Sequence, residues 1–190
     1  MRLAMLAIAL GTSLAVGLLY WGVTVMTSDA SRDGRGKLVE DAMHKLRAGN
    51  AAERRSAIVV LAGPRHDVPR LAPVAEALAT DESAEVRSFA AFMLCQAQVA
   101  PRRVSEGDKL LVLASLLKAL RDDQSAPVRL MVAEFLPGVL VRWHHSETAD
   151  FVNRVRSVAV PGLEAALQDP DARVREAVAE AVRVVGNQGG

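Results

Sequence analysis

Leu163-Glu-Ala-Ala-Leu-Gln-Asp-Pro-Asp-Ala-Arg-Val-Arg-Glu-Ala-Val-Ala-Glu-Ala-Val182 is the stretch that decides the fold of this chain. Its Asp169 followed by Val174-Arg175 recurs upstream as Asp81 with Val86-Arg87 and as Asp123 with Val128-Arg129. Apolar residues follow each Arg at offsets of two, three, six and seven: Phe89, Ala90, Met93 and Leu94; Met131, Val132, Phe135 and Leu136; Ala177, Val178, Ala181 and Val182. Side chains so spaced share one face of a helix. A helical unit that repeats in this way builds a stacked surface rather than one enclosed site.

Working outward, each such helix has a leading partner. Leu38, Ala42 and Leu46 mark the first, Leu71, Val74 and Leu78 the second. Leu110, Leu113, Leu117 and Leu120 mark the third, Val155, Val158, Ala159, Leu163 and Ala166 the fourth. Pro73 and Pro161 each lie eight residues before the repeat Asp and are expected to bend the leading helix or set its first turn. Asp169-Pro170 reads as an N-cap with proline at the first helical position, Ser125 with Pro127 as its counterpart, and Gly186-Asn187 as the final stop. A degenerate first unit aligns on Arg55, followed by Ala57, Ile58, Leu61 and Ala62, with Gly49 at the Asp position and Arg54 at the Val position. The resulting Arg spacings of 32, 42 and 46 residues place extra length at Gln98–Asp108 and Trp143–Ser157.

The quoted string closely resembles the HEAT repeat in its short bacterial, phycobilisome-lyase-like form. The resemblance covers residues 37–186 as four units, strongest in the fourth and weakest in the first. It implies an all-α fold, a short right-handed α-solenoid of helix pairs. It also implies structural roles for Asp81, Arg87, Asp123, Arg129, Asp169 and Arg175: Asp capping the second helix, Arg bonding the joints within or between units. Its bearing on function is weaker, because one repeat architecture serves many purposes.

The first residues are different material. Leu3 to Met26 carries no charge over 24 positions, about 36 Å of helix against a hydrocarbon core of about 30 Å. Tyr20 and Trp21 sit near its downstream end, where aromatics favour the interface. Residues 1–26 are therefore expected to be a single-pass anchor. The competing reading is a cleaved signal, with Ser28-Asp29-Ala30 as a small-x-small site; the long apolar run and the short Met1-Arg2 n-region oppose it. Residues 27–36, rich in Ser, Asp, Arg and Gly, read as a flexible tether, and 187–190 as a disordered tail. A count of positives (Arg32, Arg35 and Lys37 against Arg2) points the repeats toward the cytoplasm. The direct abutment of Arg2 and the amino terminus on the span, and the signal alternative, point them outside, which is the side favoured. Ala9, Ser13 and Gly17 form a small-residue face through which two spans could pair, or which meets lipid.

Composition narrows function further. Net charge is +1, and aromatics are only 4%, so neither an electrostatic drive nor interleaved stacking residues point to nucleic acid. Cys95, the single cysteine, excludes an internal disulfide and reads as buried filler rather than a reactive thiol. His144-His145 with Glu147 is the only metal-like cluster. Adjacent histidines diverge by about 100° on a helix, and only His44 and His66 remain, so a polar connector is the better reading and no metal, cofactor or catalytic residue is assigned. Arg102, Arg103, Arg142, Arg154 and Arg156 are basic spots at the long connectors that would suit an acidic partner or lipid headgroups, or simply a solvated surface. Trp143 is either an exposed contact or packed under its loop. The expected function is a membrane-anchored, non-catalytic protein-interaction scaffold. The alternatives are a bilin-lyase-like module, for which neither a ligand pocket nor reactive groups stand out, and a secreted or periplasmic repeat protein after signal cleavage.

Overall fold

The structure is a computed structural model that describes residues 32–63, 70–97 and 104–186. The described residues are all-α, with no strand. Eight helices follow in order: α1 (Arg32–Ala48), α2 (Ala51–Ala62), α3 (Leu71–Thr80), α4 (Ala84–Ala97), α5 (Glu106–Asp122), α6 (Ala126–Ser146), α7 (Ala149–Ala166) and α8 (Ala172–Gly186). Val39–Gly190 forms one compact unit. Among the described residues no helix is long and apolar enough to cross a membrane. The apolar stretch Leu3–Met26, with Ala9, Ser13 and Gly17, lies outside them, as do Arg102, Arg103 and residues 187–190. α1 begins at Arg32, within the stretch expected to be a tether, whose residues 27–31 lie outside the described residues.

The helices stack in two layers. The leading helices α3, α5 and α7 pack side by side in order, and so do the following helices α2, α4, α6 and α8. One apolar core runs between the layers from Ala42 through Leu61, Leu78, Leu94, Leu113, Leu120 and Leu136 to Leu163 and Val185. Each unit contributes one stripe to it, so no unit buries its apolar face alone. The stripe sits slightly off the expected one: Phe89, Met131 and Ala177 at offset two are only half-buried, whereas the residue before each Arg (Val86, Val128, Val174) is fully buried. Between α5 and α7 the approach is close at Gly162, where a Cβ would stand 2.9 Å from Leu117 Cδ2.

The joints between helices depart from expectation in an instructive way. Asp81, Asp123 and Asp169 do not cap the following helix. Asp81 and Asp123 terminate the leading one, where their amides donate to Ala77 O and Ala119 O at 3.0 Å, and Asp169 lies two residues past the C-cap Leu167 of α7, its amide donating to Ala166 O at 3.1 Å. The following helix starts two residues further on, at Ser83, Ser125 and Asp171, whose carbonyls accept the amides of Arg87, Arg129 and Arg175. Pro170 therefore lies before α8 and not in its first turn. Pro73 falls in the first turn of α3, where a missing N–H leaves no bond unmade, while Pro161 falls inside α7. The first joint is shorter, only Gly49-Asn50. There Asn50 Oδ1 accepts the Glu53 amide at 3.1 Å and Glu53 Oε2 accepts the Asn50 amide at 2.8 Å, a reciprocal cap.

Candidate functional site

The repeated Asp and Arg residues assemble into a ladder along the joints. Arg87 donates from Nε and Nη2 to both carboxylate oxygens of Asp123 at 2.7 and 2.9 Å, and Arg129 likewise to Asp169 at 2.6 and 3.0 Å. Each Arg thus reaches the Asp of the next unit. Its Nη1 turns back to its own joint, donating to Asp81 O at 2.8 Å and Asp123 O at 2.6 Å. Each Asp also accepts the amide two residues on, at Ser83, Ser125 and Asp171, all at 2.8 Å. One carboxylate and one guanidinium between them satisfy the exposed backbone of two joints and lock neighbouring units in register.

In the first unit the rung belongs to Arg54, not Arg55. Arg54 Nε and Nη2 meet Asp81 at 2.8 and 3.0 Å, and its Nη1 donates to Gly49 O at 2.9 Å. The shorter joint moves the Arg one residue earlier, which is why alignment on Arg55 misses it. Measured on Arg54, the buried residues Ala57, Ile58, Leu61 and Ala62 fall at offsets three, four, seven and eight.

The rungs are electrostatically settled. The Asp169 carboxyl is held below the usual carboxylate range, first by its hydrogen bonds from Arg129, against an opposing push from burial. Burial pushes Asp123 up, but Arg87, the Ser125 amide and the charge of Arg129 outweigh it, and its carboxyl also ends below the usual range. Carboxylates held ionised and fully bonded in this way are poor proton-transfer groups and good structural ones. Burial pushes the Cys95 thiol up to about 12, which leaves it protonated and unreactive at neutral pH.

Residues 159–188 match the family described as HEAT repeat. The fourth unit is thus similar to a HEAT repeat. The same rung geometry runs through the three units before it, so one helical-repeat architecture extends along the stack. The narrower phycobilisome-lyase-like assignment finds no support in this match. No curated protein and no solved structure matches the chain.

Outside the ladder, the residues marked as contacts divide. Arg142 is exposed on α6 and Arg154 is exposed on α7, where it pairs with Glu106 across to α5. Arg156 is half-buried at the edge of a shallow apolar cleft that also involves Leu140, His144, Val155 and Val185. Trp143 is 1% exposed within α6, so it packs into the core and is not available as a surface contact. Its ring stands edge-on to Phe151 with centroids 5.7 Å apart. Glu147 turns away from the histidines to accept from Lys109 Nζ at 2.6 Å, a pair with side-chain exposures of 14% and 4%. His144 and His145 stand edge to face, and among the described residues no three His, Cys, Asp or Glu side chains converge on a metal position.

A feature the sequence did not announce crosses the layer of following helices. Arg55 on α2 lies over the Phe89 ring at 4.9 Å and pairs with Glu85. Phe89 stands 6.4 Å from Phe92 on the same helix, and Phe92 meets Phe135 of α6 edge-on at 5.2 Å. All three rings are half-buried. The row thus links three units through a cation and three of the chain's four phenylalanines. Phe89 and Phe135 fall at the edge of the apolar stripe, which is the one trace of the row in the sequence.

Proposed function

We propose that this chain is a membrane-anchored, non-catalytic HEAT-repeat scaffold that holds a protein-binding face close to a bilayer, with the repeat domain on the extracytoplasmic side. The observation that carries the reading is the row Arg55, Phe89, Phe92 and Phe135. Half-buried aromatics beside an arginine on a rigid surface are the residue types that anchor protein partners, and here the stacked units hold them in fixed order. The charge-free Leu3–Met26 stretch supports the anchor, and the Asp-Arg ladder supports a structural use for the most conspicuous charged residues. The right-handed superhelix implied by the HEAT resemblance would make this a continuous curved surface.

The test is crosslinking followed by pull-down of the full chain from membranes, run beside two variants. Phe135→Glu should keep a cooperative melt and lose the proteins that the unaltered chain captures. Leu113→Asp puts a carboxylate into the core and should abolish the melt altogether, serving as the unfolded control. Captured proteins that stay bound to folded Phe135→Glu would remove the row from the reading, and no specific capture by the folded chain would remove the scaffold role. Arg142→Ala in the same assay separates the exposed basic contact from the aromatic row. Protease protection on the same membranes reads the side of the repeats.

A further inference from the structure

The following helices share one frame, and α6 departs from it. Each begins three residues before its rung Arg, so positions can be compared across the layer. Five residues after the Arg, α4 carries Phe92 and α8 carries Glu180, which pairs with Arg183; α6 carries Glu134. Nine residues after it, α4 has Gln96, α8 has Val184 and α6 has Gly138. α6 is also longer, 21 residues against 14 and 15, and its added length brings Arg142 four residues beyond Gly138. Glu134, Gly138 and Arg142, spaced by four, form one exposed line along α6. Half-buried Leu130, Met131, Phe135 and Val141 flank it.

The packing of the single chain does not account for this line. Glycine inside a helix is destabilising relative to alanine. At Gly138 a Cβ would meet nothing within 4 Å, so no close approach within the chain requires it. Glu134 and Arg142 stand eight residues apart, about 12 Å along the helix, too far to pair with each other. Among the described residues neither forms a salt bridge. Arg173, whose charge reaches Glu134, is held by Asp171 at 3.1 Å. Burial by its neighbours raises the Glu134 carboxyl above its usual value despite that charge. An acid and a base thus stand open at equal steps on either side of a glycine.

We propose that a second copy of this chain packs on this line, its α6 antiparallel to the first, with the two-fold axis at Gly138. The occupant follows from the charges. Antiparallel helices related by that axis bring the residue four before Gly138 opposite the residue four after it. Glu134 of each copy then meets Arg142 of the other. The two glycines let the backbones close at the crossing, where the flanking apolar side chains meet. A parallel pair would instead set Glu134 against Glu134 and Arg142 against Arg142. Acid, glycine and base at equal steps are complementary to themselves, which an unrelated partner would not require. The inference stands on α6 alone, and needs neither the anchor nor the scaffold reading.

Sedimentation equilibrium of the full chain in mild detergent should show a dimer. Glu134→Arg and Arg142→Glu each set like charges at both contacts and should each weaken it by about tenfold or more. Both positions are exposed, so the melt should not change. A mixture of the two single variants restores opposite charges at both contacts and should dimerise where neither variant does alone. Gly138→Leu, with open space around it in the single chain, should keep or raise the melting temperature and still weaken the dimer. A chain that is monomeric at every concentration overturns the proposal. So do single variants that dimerise as well as the unaltered chain, or a mixture that stays monomeric. A dimer indifferent to these changes but lost in Gly17→Leu would assign self-association to Leu3–Met26 instead. Capture of other proteins is read separately: a monomer that still captures them removes the second copy and leaves the scaffold.

Discussion

Two kinds of largely buried polar pair sit between the units of this stack, and they differ in almost every respect. Arg129 and Asp169 form two hydrogen bonds with each other, Arg129 adds one to the Asp123 carbonyl and Asp169 one from the Asp171 amide, and the geometry repeats in two earlier rungs. Lys109 and Glu147 share one bond of 2.6 Å, with the ammonium 5.4 Å over the Phe151 ring, and nothing like it recurs. The first pair satisfies backbone that every joint of this kind leaves open. The second pins one particular connector over one particular aromatic cluster. A planar fork that binds carboxylate and carbonyl at once can serve as a repeating element; a point charge on a flexible stem cannot fix register in the same way.

The comparison breaks most directly at Arg129. Arg129→Ala leaves the Asp169 carboxylate buried with one amide and removes the tie to the Asp123 carbonyl. The expected loss is about 2–4 kcal/mol, above the range for exposed ion pairs and within reach of that for buried ones. Urea unfolding of the chain should show the midpoint falling with little change in slope. A loss below about 1 kcal/mol would mean that the rungs follow the stacking rather than enforce it.

The same rungs predict acid sensitivity. Asp123 and Asp169 have carboxyl groups depressed below the usual range in the folded chain. A depressed folded value contributes stability that is present above the unfolded value, about 3.9, and is lost as pH falls through the folded one. Stability should therefore hold from neutral pH down to about 4 and drop below it. Asp169→Asn, already less stable at neutral pH, should show a shallower fall than the unaltered chain. An equally steep fall would assign the acid sensitivity to other carboxylates.

How much of this could be read from the sequence follows from repetition. The Asp…Val-Arg recurrence exposed the layered helix pairs and the residues of two rungs, because a geometric solution used several times leaves a periodic trace. It misplaced the first rung by one residue, since the two-residue joint at Gly49-Asn50 shifts Arg54 relative to the pattern. It also put Asp at the start of a helix when its amide closes the one before; a side chain bonded to a residue some 40 positions away gives no local signal. The single-use features were not legible. Trp143 could be placed neither inside nor outside, because its burial depends on Phe151 arriving from another helix. Glu147 looked like a companion of His144 and His145 until α5 brought Lys109 to it.

The unrepeated pair gives the smaller prediction. Lys109→Met keeps the stem against Phe151 and frees Glu147, whose side chain is 14% exposed and lies at the edge of the connector. Removing a charge beside a carboxylate with a path to water is expected to cost about 1 kcal/mol or less, where the equivalent Arg129→Met costs more. Equal losses would mean that recurrence in the sequence is no guide to energetic weight in this stack.

The smallest effect belongs to Arg154 and Glu106, whose side chains are 56% and 51% exposed. Such a pair is worth a few tenths of a kcal/mol in water and is screened by salt. Arg154 also has its guanidinium 5.7 Å from the Phe151 centroid, the ring that Lys109 faces. If Arg154 served only the surface pair, Arg154→Ala in the Lys109→Met background should cost no more than it does alone. A larger loss in the double variant, beyond the roughly 0.5 kcal/mol by which independent sites add, would show that the two cations hold Phe151 together. The connector would then be a second cooperative unit, built on one aromatic ring instead of on a ladder.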